Sequence, residues 1–242
     1  MKNMMRLTLL MAVIMTTVPM PPVLAKMDWE PLDASELQKT SYAEAPGEPA
    51  VILFDKGNMT VGPELIFERY CRTRILSEAG YKYADIHLFY REDNEIEDLE
   101  ARTILPDGRI IKLEKKDFLR NRIKFGAGSM DMFEIVFAFP SVEPGCVVEY
   151  KFSRKSSDIS FLDKWYFQNE IYTFHSEMNV KVLSVYVYNY YLFPPGIIPM
   201  PAQGCCIPGR RRNAQLRAFY LGAEQYRQSR AGAAVSAGKL HQ

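Results

Sequence analysis

The sequence predicts an all-β fold, a β-sandwich or barrel, on three observations. From Ala50 onward, apolar runs recur at short intervals between turn signals, the runs alternate with period two, and helical periodicity is scarce. Residues 26–48 precede this pattern as a polar lead-in, with one helical turn expected over Ala34 to Gln38. Three turn signals follow. Asp55-Lys56-Gly57-Asn58 separates Val51 to Phe54 from the run starting at Thr60. Pro106-Asp107-Gly108 separates Glu97 to Ile104 from Arg109 to Leu113, and Glu143-Pro144-Gly145 separates Met132 to Phe139 from Cys146 to Phe152. In each, glycine supplies a positive φ or proline presets φ at about −65°, so each is read as a hairpin junction.

Between the turns, Cys146, Val148, Tyr150 and Phe152 form one apolar face, with Glu149, Lys151 and Ser153 expected on the opposite, solvated face. Phe133, Ile135, Phe137 and Phe139 form a second apolar face, and Ala84, Ile86, Leu88 and Tyr90 alternate with Asp85 and His87. Two facing sheets would bury these stripes against each other. Lys164 to Gln168 and Val180 to Tyr191 read as further strands, so the sandwich is expected to span residues 49–192. Beyond Pro194-Pro195-Gly196 the composition shifts to Arg, Ala, Gly and Gln. Residues 193–242 are therefore expected to be an irregular tail with a short helix across Asn213 to Gln228.

The start of the chain bears on compartment. Lys2 and Arg6 precede an apolar stretch from Leu7 to Val18, followed by prolines and Val23-Leu24-Ala25, which is the order of a cleavable signal peptide at residues 1–25. Cleavage after Ala25 predicts an exported protein, periplasmic or secreted. The stretch is shorter than the roughly 20 apolar residues of a membrane span, so no stable transmembrane anchor is expected. A net charge of +1 gives no electrostatic case for nucleic acid. An oxidising compartment permits a Cys71–Cys146 disulfide, although two buried free thiols are the simpler expectation.

Several segments carry a resemblance. Pro49-Ala50-Val51-Ile52-Leu53, Ala101 to Arg109 (Ala-Arg-Thr-Ile-Leu-Pro-Asp-Gly-Arg), Phe139 to Tyr150 (Phe-Pro-Ser-Val-Glu-Pro-Gly-Cys-Val-Val-Glu-Tyr) and Trp165-Tyr166-Phe167-Gln168 resemble an uncharacterised domain of exported bacterial proteins, which precedes a transglutaminase-like domain. The resemblance runs from about Trp29 to about Tyr188. It implies an immunoglobulin-like antiparallel β-sandwich with no known activity of its own, and an enzyme-like half with a Cys-His-Asp set towards the C-terminus. That half is missing from this sequence, where the pattern fades near Leu192. A truncated or frame-shifted gene downstream of residue 195 is one expected cause, testable by sequencing the neighbouring DNA.

Candidate chemistry is sparse. Gly204-Cys205-Cys206 could present a nucleophile, but it would need a histidine and an orienting residue, and only His241 follows. Cys146 with His175 makes a dyad on paper, and His87 is the remaining histidine. The acidic run Glu92 to Glu100 lacks the glycine of a calcium loop and reads as a solvated turn and strand edge. Lys115, Lys116, Arg120, Arg122 and Lys124, beside Phe118 and Phe125, form a mild basic patch that reads as a solvated strand face, with binding of an anionic envelope polymer as the alternative. No catalytic, cofactor-binding or metal residues are assigned, and no cofactor is expected. The function expected is a non-catalytic scaffold or interaction module, its partner an open question between an envelope polymer and a protein. The alternatives are a fragment or partner subunit of a transglutaminase-like or cysteine-peptidase enzyme, and a polysaccharide or adhesion module.

Overall fold

The computed structural model describes residues 27–123, 131–159 and 164–182, and the backbone of 214–220. Its chain is mostly β-strand, arranged as an all-β sandwich of two sheets. After a single-turn helix α1 (Ala34–Leu37), capped by Asp33 accepting from the Ser35 N–H, come β1 (Ala50–Val61) and β2 (Leu65–Ile75). Then follow β3 (Asp85–Arg91), β4 (Ile96–Ile104), β5 (Ile110–Lys112), β6 (Leu119–Ile123), β7 (Met132–Ala138), β8 (Val147–Ser156), β9 (Ser176–Val182) and β10 (Ala214–Tyr220). The large sheet has the order β10-β9-β1-β2-β8-β4-β5 and the small one β3-β7-β6. All pairings are antiparallel except β1 with β9.

The apolar stripes read from sequence meet between the sheets. Ile135, Phe137 and Phe139 pack towards Tyr150 and Phe152 of β8, and Leu88 and Tyr90 of β3 join the same core. The expected disulfide alternative is resolved in favour of two free, buried thiols, Cys71 and Cys146.

Of the three turn signals, only Pro106-Asp107-Gly108 is a hairpin, closing β4 on β5 with Gly108 at φ +86°. Glu143-Pro144-Gly145, with Gly145 at φ +91°, instead carries the chain from the small sheet to the large one, since β7 and β8 lie in different sheets. Asp55-Lys56-Gly57-Asn58 is no turn at all. It lies inside the twelve-residue strand β1, and the reversal into β2 occurs at Gly62-Pro63-Glu64. Gly57 answers to crowding there: a Cβ would lie 2.7 Å from Met178 Sδ and 2.8 Å from Trp165 Cζ3.

The Lys164 to Gln168 segment is likewise not a strand. Trp165 turns individually into the core above Gly57, its Nε1 donating to Ser176 Oγ at 3.1 Å, and Phe167 is buried while Tyr166 faces solvent. Val180 to Val182 belong to β9, and the rest of the run to Tyr191 lies outside the described residues. Where a helix was expected across Asn213 to Gln228, Ala214–Tyr220 is a strand on the edge of β9. The open hydrogen-bonding edge of β9 pairs a segment too short to sustain a helix in isolation.

Gly57→Ala forces the Trp165 ring and Met178 out of contact with β1. Overpacking of this kind costs about 1–3 kcal/mol, so the urea midpoint should fall with an unchanged slope. An unchanged midpoint would show that the indole yields freely.

Candidate functional site

The most concentrated chemistry lies on the face of the large sheet that points away from the small one. Register creates it. Arg72 of β2 and Arg102 of β4 both stand opposite Glu149 of β8, so one cross-strand row reads Arg-Glu-Arg. The row expected to be solvated is buried: Glu149 is fully inaccessible and Arg72 is 4% exposed. The cover is the lead-in, residues 27–39, which lies over this face as a strap.

Glu149 is saturated with donors. Arg72 Nε donates to Oε2 at 2.9 Å, Arg102 Nε to Oε1 at 2.9 Å, and the Tyr70 hydroxyl to Oε2. Burial, followed by the neighbouring Glu149 charge, raises the Tyr70 pKa well above its ordinary value, so this phenol stays a donor. Other arginine and lysine N–H groups reach strap carbonyls. Arg72 donates to Glu30 O (2.5 Å) and Pro31 O (3.3 Å), Arg74 to Leu37 O (2.8 Å), and Lys151 to Met27 O (2.7 Å). Trp29 is the strap's anchor, edge-on to Tyr70 with the Arg102 guanidinium 4.2 Å and the Lys151 ammonium 4.6 Å from its ring centre.

Several depressions border the strap. One of about 740 Å³ lies at its far end against Tyr42, Leu53 and Phe174, with Asp33, Glu36 and Glu44 around it. A smaller one of about 270 Å³ lies between Met27 to Glu30 and the Lys56, Asn58, Glu177 and Asn179 side chains. On the core face, Asp55 and Arg69 form a bidentate pair at 2.7 and 2.8 Å beside Trp165.

The residues singled out from sequence are not assembled into a site. Burial pushes the Cys71 thiol up to about 12 and raises that of Cys146, the opposite of an activated nucleophile. Cys146 hydrogen-bonds at the Ile75 end of β2, whereas His175 meets β1 at Asp55, about 16 Å further along the strands. His87 pairs with Glu134 at 2.7 Å and His175 with Glu177 at 3.2 Å. Cys205, Cys206 and His241 lie outside the described residues.

The acidic run forms a single 3-10 turn at Glu92–Asn94 and then enters β4, with Ile96 in the core. Within the basic patch, Arg120 pairs with Glu95, Arg122 with Asp131 and Lys116 with Glu114, and Phe118 packs on Phe137, so its charge is largely neutralised. Lys124 and Phe125 lie outside the described residues. Among the described residues, no group of three or more His, Cys, Asp or Glu side chains is placed to hold a metal ion. No helix there is long and apolar enough to cross a membrane.

Comparison with known proteins agrees with this architecture. The family described as "Domain of Unknown Function with solved-structure structure (DUF3857)" matches residues 66–194, more than half of the chain and most of the sandwich from β2 to β9. The chain belongs to this family. No curated protein matches it. Among solved structures, this chain is similar to a protein described as a "putative protease" from Parabacteroides distasonis, at 12% identity and a TM-score of 0.55, covering 72% of this chain and 35% of that one. At that identity the likeness is one of fold. Yeast LTA4 hydrolase in complex with bestatin is also matched, at 9% identity over 79% of this chain and 32% of that one, with a TM-score of 0.32 that carries no argument. This chain spans about a third of the length of both proteins.

Glu149→Leu leaves two arginines unpaired beneath the strap and should destabilise the protein by about 3–5 kcal/mol. The triple variant Arg72→Met, Glu149→Leu, Arg102→Met removes every charge of the row and should recover most of that loss in urea unfolding. A triple variant no more stable than the single one would show that packing, and not the unpaired charge, sets the penalty.

Proposed function

We propose that this DUF3857 chain is an exported, non-catalytic β-sandwich module, a scaffold or interaction domain of the type that stands ahead of a transglutaminase-like half. The observation that carries this reading is the saturation of the Glu149 carboxylate. Glu149, the most buried carboxylate of the candidate site, accepts from three donors, and Arg72 turns a further N–H to the Glu30 carbonyl of the strap. A catalytic carboxylate or thiol needs a free lone pair facing a cavity and a pKa moved towards neutrality. Here the described thiols are moved away from it.

Two further points support the reading. The charged leader followed by an apolar stretch at residues 1–25 suits export. The sandwich also corresponds to about a third of a longer protein described as a "putative protease", which suits a module that accompanies a hydrolytic half elsewhere in a chain or complex.

The test uses the chain from Lys26 to Gln242 with a thiol-alkylating probe, beside assays for casein cleavage and for amine incorporation. Cys71 and Cys146 should stay unlabelled until denaturant is added, with no turnover in either assay. Turnover abolished by alkylation of Cys205 or Cys206 would replace the module reading with that of a cysteine-dependent enzyme. Fractionation of an expressing bacterium should place the protein outside the cytoplasm, and a wholly cytoplasmic, unprocessed chain would refute export.

A further inference from the structure

The outer faces of the two sheets are treated differently. The strap covers that of the large sheet, whereas the small sheet keeps apolar side chains in solvent. Leu88, Tyr90, Ile135 and Phe137 point into the core, so the residues that alternate with them point out. Among these are Phe89 of β3, Met132, Val136 and Ala138 of β7, and Leu119 and Ile123 of β6. Phe89 is 54% exposed and Leu119 61%. The six are contiguous: Leu119 stands beside Val136 and Ile123 beside Met132, and Phe89 lies diagonal to both Met132 and Val136. His87 and Glu134, the polar pair of this face, are spent on each other at 2.7 Å. At one end a depression of about 440 Å³ opens between Leu119, Val136 and Ala138 of the sheet and Leu113 and Pro140 beside it.

We infer that this face docks one amphipathic helix of a partner protein, laid along the strands with an apolar side chain in the depression. The inference deepens the interaction-module reading and rests on it. A contiguous apolar face rimmed by polar groups marks an interaction surface, and its dimensions select the occupant. With strands of seven residues at about 3.4 Å each and three strands about 4.8 Å apart, the face measures about 24 by 14 Å, or about 340 Å². Even twice that area falls short of the roughly 800 Å² per partner that a stable dimer buries, so a second copy is a poor fit. A helix of about 15 residues is about 23 Å long and about 10 Å wide, and it covers the face as a third layer.

The edge excludes an added strand. Arg120 and Arg122 of β6 stand opposite Ile135 and Phe133, on the core side of the edge strand. Arg120 pairs with Glu95 at 2.6 Å, and Arg122 pairs with Asp131. Inward-pointing charges on an edge strand oppose the addition of another strand there. The partner is therefore read by its side chains and not by its backbone. Its apolar residues recur at i, i+4 and i+7, the spacing that puts them on one side of a helix.

The probe is a pair of labelled model peptides of about 16 residues and one composition, leucine with alanine, glutamate, lysine and glutamine. One carries the leucines at helical spacing and the other is shuffled to break the stripe. Fluorescence anisotropy against the chain from Lys26 to Gln242 should show saturable binding of the striped peptide, with a gain of helix in circular dichroism. The shuffled peptide should bind about tenfold more weakly, and Phe89→Lys and Leu119→Lys should each weaken the striped one by about tenfold or more. Tyr166→Lys, at a side chain 65% exposed elsewhere, should leave binding as it is. All three variants should melt with the parent chain, since the altered side chains face solvent.

Striped-peptide binding absent up to about 1 mM, or weakened equally by Tyr166→Lys, would overturn the docking face. Binding without a gain of helix would overturn the helical occupant. A dimer in sedimentation that Leu119→Lys dissolves would put a second copy on the face and overturn it too. None of these results touches the alkylation and turnover assays that judge the module reading, and turnover there would leave the peptide result standing.

Discussion

The Glu149 carboxylate, placed in the middle of a seven-stranded sheet and wholly removed from water, is the constraint from which the rest of the outer face follows. Its desolvation is offset only if several donors converge on it, and three do. That requirement fixes register. A slip of one residue between β8 and its neighbours would turn Glu149 into the apolar core and bring Tyr150 out under the strap. The same requirement creates the strap's seat, because a guanidinium that binds a carboxylate with one edge presents N–H groups on the other. Those groups find the carbonyls of Glu30 and Pro31.

Much of the sandwich was legible because its core stripes obey a simple period. Phe133 to Phe139 and Cys146 to Phe152 alternate cleanly, and alternation survives whatever the tertiary context. What misled was punctuation. Asp55-Lys56-Gly57-Asn58 carries turn composition, but its glycine serves an approach by Trp165 from a segment about 110 residues away in the chain, which no local window shows. The candidate site escaped for a related reason. Glu149 and Lys151 alternate with apolar residues as solvated positions would, and their burial depends on a lead-in that carries no periodic pattern. One signal was available: three arginines at alternate or near-alternate positions in Arg69-Tyr70-Cys71-Arg72-Thr73-Arg74 are too many cations for one strand unless carboxylates or carbonyls face them across the sheet.

A polar underside has a consequence for dynamics that an apolar one would not. Lifting a strap from an apolar face exposes hydrocarbon to water and is opposed by the hydrophobic effect over the whole contact. Lifting this one exchanges carbonyl acceptors on Arg72, Arg74 and Lys151 for water, a nearly balanced trade for each bond, and leaves the Arg-Glu-Arg row internally paired. Trp29, edge-on to Tyr70 and beside the Arg102 and Lys151 cations, therefore carries the part of the strap's attachment that water does not replace. Opening of the strap should thus be separable from unfolding of the sandwich, with the strap at the low-stability end of the molecule and β2, β8 and β1 at the other.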